Sequence, residues 1–458
     1  MTGRAIHVLG AGPAGAAASL LLASWGHPVR LFAKTATAHP LAVSLPPSCG
    51  KLFEVLGVSD AVERRGFLRS TGNTVWWGSE TARVESFGEP HRGWHVEVQQ
   101  LSAVLMDRAV ASGVAVVTSA PDDGGVMTID CTGRAGVLAK AHDVREPVQG
   151  PRTIALVGEW RRDERWPIPD DTHTLIESYD AGWAWSVPIA AGRRHISTMI
   201  DPQRSQLHRG GSAKEVYLAE IRKTRVFRSL TETATLIDGP WGWDASPYHS
   251  RSYSGDNWLL AGDAGSFIDP LSSAGVKKAL ASAWLAAIVV NTCVTTPAMR
   301  SHALAFFSRR EREIASHHDR ESKRFLTHAA SQHPYPFWAE RVDAAPNDDA
   351  TAIRRAFARL KESDALQSIK GPNARLEPAP CIRGRQIVLE PHLTGPLEGA
   401  PIRYVAGVDV VALVDLAPQE HSVPRLYETY CRVHGTTRLD DFLTALSTAF
   451  ANGWLVSE

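Results

Sequence analysis

A glycine-rich turn between a short apolar strand and an alanine-rich helix constrains this chain most. Ile6 to Leu9 suits a buried strand, and Gly10-Ala11-Gly12-Pro13-Ala14-Gly15 follows it directly. A helix-forming run continues to Ala23, and a second apolar strand starts near Val29. Strand, glycine turn, helix and strand within about 30 residues predict a dinucleotide-binding unit.

Each glycine of this turn has a predicted physical task. Gly10 permits the tight turn, Gly12 lets the backbone approach a pyrophosphate, and Gly15 lets the helix pack close to the strand. The helix N-terminus offers free N–H groups and a positive dipole end to the phosphates. The acidic residue usual at the end of the second strand is replaced by Ala33-Lys34, so the ribose contact must be made differently.

Composition excludes several classes of protein. Of the 458 residues 44% are hydrophobic, which is ordinary for a globular protein and excludes a mostly disordered chain. The 49 basic residues balance the 49 acidic ones, so a nucleic-acid partner is not expected. Five scattered cysteines fit reduced thiols better than a disulfide framework or a metal site, and we expect no metal. Without a signal peptide or an apolar run long enough for a bilayer, we expect a cytoplasmic protein with no membrane partner.

In two further segments a predicted strand is followed directly by a turn. Met127 to Asp130 is followed by Cys131-Thr132-Gly133-Arg134, and Trp258 to Ala261 is followed by Gly262-Asp263. The second segment continues through Asp269-Pro270 to Gly275-Val276, where a helix is predicted to begin. Ligands of open α/β sheets bind at such strand ends, although the Asp263 segment could also be a plain structural turn.

Together with the glycine turn, these segments resemble the FAD-dependent monooxygenases of the para-hydroxybenzoate hydroxylase type, over roughly residues 1 to 340. The resemblance implies FAD, with its ADP half on the first motif and its ribityl chain bonded to Asp263. A helix opening at Gly275 and Val276 would point its positive end at the flavin ring. Lys277 and Lys278 would add positive potential there, or would simply be solvated.

Tryptophans are concentrated in segments that alternate between apolar and polar residues, which predicts an antiparallel sheet over the flavin. Gly182-Trp183-Ala184-Trp185-Ser186-Val187-Pro188 resembles the Trp-x-Trp-x-Ile-Pro signature of flavin-dependent tryptophan halogenases. The segment Ser44-Leu45-Pro46-Pro47 also looks like that branch, and Ser44 is a predicted cofactor contact. Trp76, Trp183 and Trp185 are predicted to line the substrate space, with core packing as the alternative for the last two.

One departure from the halogenases concerns chemistry. Those enzymes need a lysine just before the strand near Trp76, to receive hypohalous acid. This chain has no lysine between Lys51 and Lys140. Because the amine that would carry the halogen is absent, the scaffold suits direct oxygen transfer from a flavin C4a-hydroperoxide to an electron-rich ring.

Acid–base help has two candidates, Asp269 and Glu177. Asp269 is also explained as a turn residue before Pro270, and Glu177 as a sheet residue that faces solvent. Either carboxyl could act as a base only if burial shifted its pKa.

The C-terminal part is predicted to form a separate unit. Residues 331–375 are predicted to be a helical connection, with a helix over 350–370. Residues 376–458 are predicted to form strands and three short helices. These resemble a winged-helix-like domain, which could bind a peptide or could be a purely structural cap.

The predicted fold is therefore α/β: an FAD-binding Rossmann-like domain of the hydroxylase type, an interleaved antiparallel substrate sheet and a small C-terminal α+β winged-helix-like domain. The FAD-binding parts are about 1–70, 95–150 and 250–330, and the sheet parts are about 71–94 and 150–250.

The chain combines a halogenase-like flavoprotein scaffold, the absence of the halogenase lysine and a winged-helix-like C-terminal domain. In this combination it resembles the flavin monooxygenases of tryptophan-quinone biogenesis. The resemblance implies a single-component enzyme that uses FAD, O2 and NAD(P)H as a transient reductant. It also implies a polypeptide substrate, such as the crosslinked small subunit of an amine dehydrogenase. A flavin oxidoreductase or halogenase acting on a small aromatic or isoprenoid molecule stays open, as does a binding protein with structural FAD.

Overall fold

The computed structural model describes residues 4–34, 39–88, 90–119, 125–342, 353, 355–358, 368–395 and 398–457. The chain divides into two compact units, Met1–Ala344 and Ala345–Glu458. The helix predicted over 350–370 falls largely outside the described residues.

The strands, numbered in chain order, are β1 Ile6–Leu9, β2 Val29–Phe32, β3 Ala42–Leu45, β4 Leu68–Ser70, β5 Gly72–Trp76, β6 Arg83–Ser86, β7 Gly93–Glu97, β8 Ala115–Val117, β9 Thr128–Asp130, β10 Arg145–Pro147, β11 Ile154–Arg161, β12 Thr174–Tyr179, β13 Gly182–Ala190, β14 Arg193–Ile200, β15 Thr235–Asp244, β16 Tyr248–Ser250, β17 Ser254–Gly255, β18 Trp258–Leu260, β19 Ser368–Lys370, β20 Arg375–Arg383, β21 Gln386–Gly395, β22 Glu398–Ile402, β23 Tyr404–Val405, β24 Val408–Asp409 and β25 Leu455–Ser457.

The α-helices are α1 Pro13–Ser24, α2 Gly50–Leu56, α3 Ser59–Arg65, α4 Val98–Ala111, α5 Val137–Ala141, α6 Ala213–Lys223, α7 Val226–Thr231, α8 Gly275–Thr295, α9 Arg300–Gln332, α10 Pro336–Ala339, α11 Val410–Leu416, α12 Val423–His434 and α13 Leu439–Ala451.

A six-stranded sheet in the order β17-β18-β9-β1-β2-β8 forms the dinucleotide-binding layer. Its strands are parallel except for the β17–β18 pair. Val8, Leu31, Ile129 and Leu259 are fully buried, as expected when helices cover a parallel sheet and its strands become continuous apolar runs. Helix α1 packs between this sheet and helices α4 and α8. The predicted α/β architecture is confirmed.

A seven-stranded sheet in the order β15-β11-β14-β13-β12-β5-β6 is the second layer. Its strands are antiparallel except for the parallel β12–β5 pair. Because side chains alternate between faces, one face packs Leu175, Ile196 and Trp160 with helices α6 and α7. The other face carries Val75, Trp183 and Trp185. The small sheet β3-β7-β4 lies against β13.

The second unit is built around its own core. A three-stranded sheet β20-β21-β22 and the pair β19–β25 accompany helices α11, α12 and α13. Leu413, Leu426, Phe442 and Trp454 are fully buried among them. Asp409 caps α11 and pairs with Arg403 at 2.8 Å. The α+β character of this unit is as predicted, whereas its winged-helix likeness stays a prediction.

Among the described residues, one helix, α8, has the length and apolar composition that a membrane span requires. Of its most apolar stretch, 78% is buried inside the protein.

Candidate functional site

The glycine turn has the geometry that its sequence predicts. Gly10 has φ +96°, and its N–H donates to the Phe32 carbonyl at 2.8 Å. A Cβ on Gly15 would lie 1.8 Å from the Gly10 carbonyl oxygen, so only glycine lets α1 pack this close. By contrast, a Cβ on Gly12 would meet no atom of the described residues within 4 Å. Gly12 precedes Pro13 at the start of α1, and no described side chain caps this end of the helix. The first N–H groups of α1 therefore have no cap in the described part of the chain and are available to a ligand.

The three sequence motifs converge at the carboxyl ends of β1, β9 and β18. A Cβ on Gly10 would lie 2.5 Å from the Cys131 carbonyl oxygen, which brings the first motif against the second. Gly262 has φ +62°, and its added Cβ would lie 3.3 Å from that of Ala14. Ala11, between the two glycines, is half-buried.

Asp263 stands half-buried at this junction with cations around it. Its Oδ1 is buried and accepts no hydrogen bond among the described residues, and Lys278 Nζ is 3.9 Å away. Tyr248 donates its hydroxyl to the Asp263 carbonyl at 2.5 Å. Burial raises the pKa of Asp263, while Lys278, Arg134 and Arg145 lower it. An unsatisfied carboxylate oxygen in such a place suits a hydroxyl-bearing ligand.

Helix α8 opens toward the same region. Gly275 is exposed, Val276 is half-buried, and Ala274 at the cap position offers no side-chain acceptor. Ser273, just before the helix, has φ +47°, a backbone conformation that a non-glycine residue rarely adopts. The uncapped end of this 21-residue helix keeps its positive dipole available. Ser44 is buried in β3, opposite His95 of β7, and its contact with the cofactor stays a prediction.

The two predicted acid–base residues serve as caps. The Glu177 carboxylate accepts the N–H groups of Arg225, Val226 and Phe227 at 2.7–3.2 Å, which caps α7. Glu177 is 4% exposed, so the expectation that it faces solvent is wrong. Asp269 accepts the Leu271 N–H at 2.9 Å and begins a short turn, which agrees with its alternative interpretation as a turn residue before Pro270. Burial raises the pKa of Asp269. A catalytic role for either carboxyl stays a prediction without geometric support.

The structure separates the predicted tryptophans. Trp76 packs on the α6–α7 face of the seven-stranded sheet, opposite Trp183 and Trp185, so its grouping with them is wrong. Trp77, and not Trp76, lies on the sheet face of Trp183 and Trp185, because adjacent residues of a strand point to opposite faces. The Trp77 ring packs edge-to-face with Trp183 at 6.2 Å and with Trp338 at 5.3 Å. Trp183 is thus part of a packed core.

Trp185 differs from its neighbour in its polar group. Its ring is 7% exposed, yet its Nε1 finds no hydrogen-bond partner among the described residues. A buried indole N–H normally has an acceptor, so this donor is available to a ligand or a water molecule.

Sequence reasoning missed a histidine–carboxylate pair on the same sheet face. His195 and Glu159 stand opposite each other on β14 and β11, with Nε2 and Oε2 3.8 Å apart. His195 Nδ1 accepts the Ala42 N–H at 3.3 Å, so the neutral ring carries its proton on Nε2. Burial lowers the pKa of His195, Glu159 and Glu97 raise it, and Arg193 lowers it. The strand register alone brings these residues together, and no local sequence signal marks them.

A cavity of about 700 Å³ opens at the tip of the β13–β14 hairpin. Pro188, which ends the tryptophan-rich segment, lines it together with Arg69, Trp166 and Arg193. This volume lies in the range of small-molecule or side-chain binding sites. Within the described ranges, no group of three or more His, Cys, Asp or Glu side chains is placed to hold a metal ion.

The residues at the junction of the three motifs fit FAD. Open space next to Gly12 would take the diphosphate on the α1 N-terminus. The free Oδ1 of Asp263 would accept a ribityl hydroxyl, and the uncapped start of α8 would face the ring.

Comparison with known proteins agrees with this assignment. The family model described as an FAD binding domain matches residues 4–149. Tryptophan 2-halogenase of Chondromyces crocatus is 26% identical over 334 residues, which cover 66% of this chain and 64% of that enzyme. Flavin-dependent halogenase armH3 of Armillaria mellea is 24% identical over 355 residues, which cover 66% of this chain and 70% of that enzyme.

Two solved structures match nearly the whole chain. The flavin-dependent halogenase CmlS has a TM-score of 0.81 at 20% identity, covering 99% of this chain and 96% of CmlS. The peptidyl tryptophan dihydroxylase QhpG, described as essential for tryptophylquinone cofactor biogenesis, has a TM-score of 0.68 at 19% identity and covers 99% and 100%. At these identities the likeness establishes the fold, which is that of flavin-dependent halogenases.

Proposed function

We propose that this chain is a single-component FAD-dependent monooxygenase that hydroxylates a tryptophan of a partner polypeptide, in the biogenesis of a tryptophan-quinone cofactor. The bound FAD, reduced by NAD(P)H, would activate O2, of which one oxygen atom goes to the indole and the other to water. The protein would hold the indole ring and exclude water.

The observation that carries this proposal is the missing amine on a halogenase-like scaffold. The residues just before β5 are Ser70 and Thr71, and no lysine lies between Lys51 and Lys140. The Ser70 side chain is fully buried and turns to the Gly72 carbonyl. Because no nucleophilic amine stands before this strand, oxygen transfer is favoured over halogen transfer.

Three features support a polypeptide substrate. One structural neighbour is a peptidyl tryptophan dihydroxylase. The cavity beside Pro188 opens to solvent, as a side chain that stays attached to a polypeptide would require. The Nε1–H of Trp185 has no hydrogen-bond partner among the described residues, so it offers a donor to a substrate.

The second candidate is a flavin-dependent halogenase or oxidoreductase on a small aromatic or isoprenoid molecule. Its support is that the curated relatives are halogenases.

NAD(P)H oxidation separates these candidates. We expect a tryptophan-containing crosslinked peptide to stimulate NAD(P)H oxidation by the FAD-loaded protein, equally with and without bromide. Free tryptophan at the same concentration should give little stimulation. Stimulation by a small aromatic but not by the peptide would contradict the proposal.

Deleting residues 345–458 provides a second test. The first unit has its own sheets and core, so the shortened protein should retain FAD. We propose that the deleted unit docks the polypeptide, so the shortened protein should lose the stimulation by the peptide. Full stimulation by the peptide in the shortened protein would show that this unit does not dock the substrate.

A further inference from the structure

Lys278 is a buried cation directly beneath the Gly262–Ser266 segment. Its side chain is 1% exposed. Its Nζ donates to the Gly262 carbonyl at 2.9 Å and to the Ser266 carbonyl at 2.6 Å. The same Nζ lies 3.9 Å from Asp263 Oδ1. One ammonium therefore joins α8 to both ends of the segment that presents Asp263.

A second buried ionisable side chain lies on the neighbouring helix α9. Glu311 of α9 is fully buried. Burial raises the pKa of its carboxyl, and Lys278 and Arg310 are the cations that lower it. Its neighbour Glu313, two residues along the same helix, instead pairs with Arg310 at 2.6 Å at the surface. Both carboxylate oxygens of Glu311 lack a hydrogen-bond partner among the described residues, so no direct bond fixes this carboxyl.

This arrangement is not explained by helix stability. A lysine in the first turn of a helix opposes the helix dipole. Burying two charges also costs more than burying apolar side chains of the same size. Such a placement points to a role for the cation where it lies, beside the carboxylate predicted to bind FAD.

We propose that Lys278 is a positioning residue for FAD, with Glu311 as its counter-charge. It holds the Gly262–Ser266 segment in its binding conformation, and its charge favours the anionic reduced flavin. This inference rests on the proposed FAD binding and assigns that site a residue beyond the three sequence motifs.

The first test is FAD affinity of the full-length protein, measured by fluorescence titration of the apoprotein. Lys278→Met removes two charge-assisted hydrogen bonds, and we expect FAD to bind at least about tenfold more weakly. Lys278→Arg keeps the positive charge, so its FAD affinity should fall less than that of Lys278→Met. Lys277→Met removes the same charge one position earlier, and FAD affinity should change less than about threefold. Equal losses in Lys277→Met and Lys278→Met would overturn the assignment.

The second test is the flavin midpoint potential at pH 8, which a purely structural pair would not shift in opposite directions. Lys278→Met should lower it and Glu311→Gln should raise it. We expect about a tenfold change in the affinity ratio of reduced to oxidised FAD, or about 30 mV for a two-electron couple. Glu313→Gln, the matched change on the surface of α9, should leave the potential unchanged.

Shifts of one sign in both variants, or no shift, would show that the pair only stabilises the fold. If Lys278→Met does not fold, Glu311→Gln alone decides by the sign of its shift. A wild-type protein that binds no FAD would instead refute the proposed function.

Discussion

Alanine at two glycines of the first turn should separate cofactor binding from folding. A Cβ on Gly15 would overlap the Gly10 carbonyl oxygen at 1.8 Å, whereas real contacts need at least 3.0 Å, so β1 and α1 must part by more than 1 Å. Overpacking of this kind costs about 3 kcal/mol, or about 5 °C in Tm. Gly12 has φ −72°, and no atom of the described residues lies within 4 Å of an added Cβ, so Gly12→Ala should change apoprotein stability by less than about 1 kcal/mol.

The same Gly12→Ala methyl would occupy the space predicted for the diphosphate. We therefore expect FAD affinity to fall at least about tenfold, since a buried N–H loses its acceptor. Thermal unfolding of the apoprotein and FAD titration, made on both variants, measure the two effects separately. A Gly12→Ala protein with wild-type FAD affinity would refute the assignment of this turn as the diphosphate site.

Three further outcomes follow from buried groups elsewhere. Burial lowers the pKa of His95 from 6.5 to about 4, so the unfolded chain protonates first and stability should fall by about 3 kcal/mol between those pH values. Urea unfolding should show a shallower fall in His95→Gln, and an equal fall would count against the prediction. Glu177→Ala should lower the free energy of unfolding by about 2 kcal/mol, because α7 loses its cap, and should leave the FAD absorbance unchanged. A variant with wild-type stability but no turnover would instead indicate that Glu177 is a catalytic carboxylate. Trp185→Phe should change stability by less than about 1 kcal/mol but lower kcat/KM at least about threefold, and Trp76→Phe should leave kcat/KM unchanged.

Local sequence was sufficient for the cofactor half of the site. The conformations of Gly10 and Gly15, and the turn at Asp269, follow from chemistry within a few neighbouring residues. The buried strands β1, β9 and β18 were recognisable because apolar runs ending in glycine turns have few other uses.

The remainder depends on contacts between distant segments. Trp76 and Trp77 are adjacent, and only the register of β5 against β12 decides which of them faces Trp183. His195 faces Glu159 across strands, and Lys278 of α8 bonds the Gly262 and Ser266 carbonyls. Neither contact follows from a spacing that a pattern search could recognise, and charged residues are usually expected at the surface.

Tandem mass spectrometry of a peptide product tests the central claim most directly. The crosslinked peptide would be incubated with the FAD-loaded protein, NADH, bromide and ¹⁸O₂. We predict ¹⁸O on a tryptophan ring and no bromine. A bromine isotope pattern, or an unlabelled peptide from a protein that oxidises NADH with a small aromatic, would contradict it.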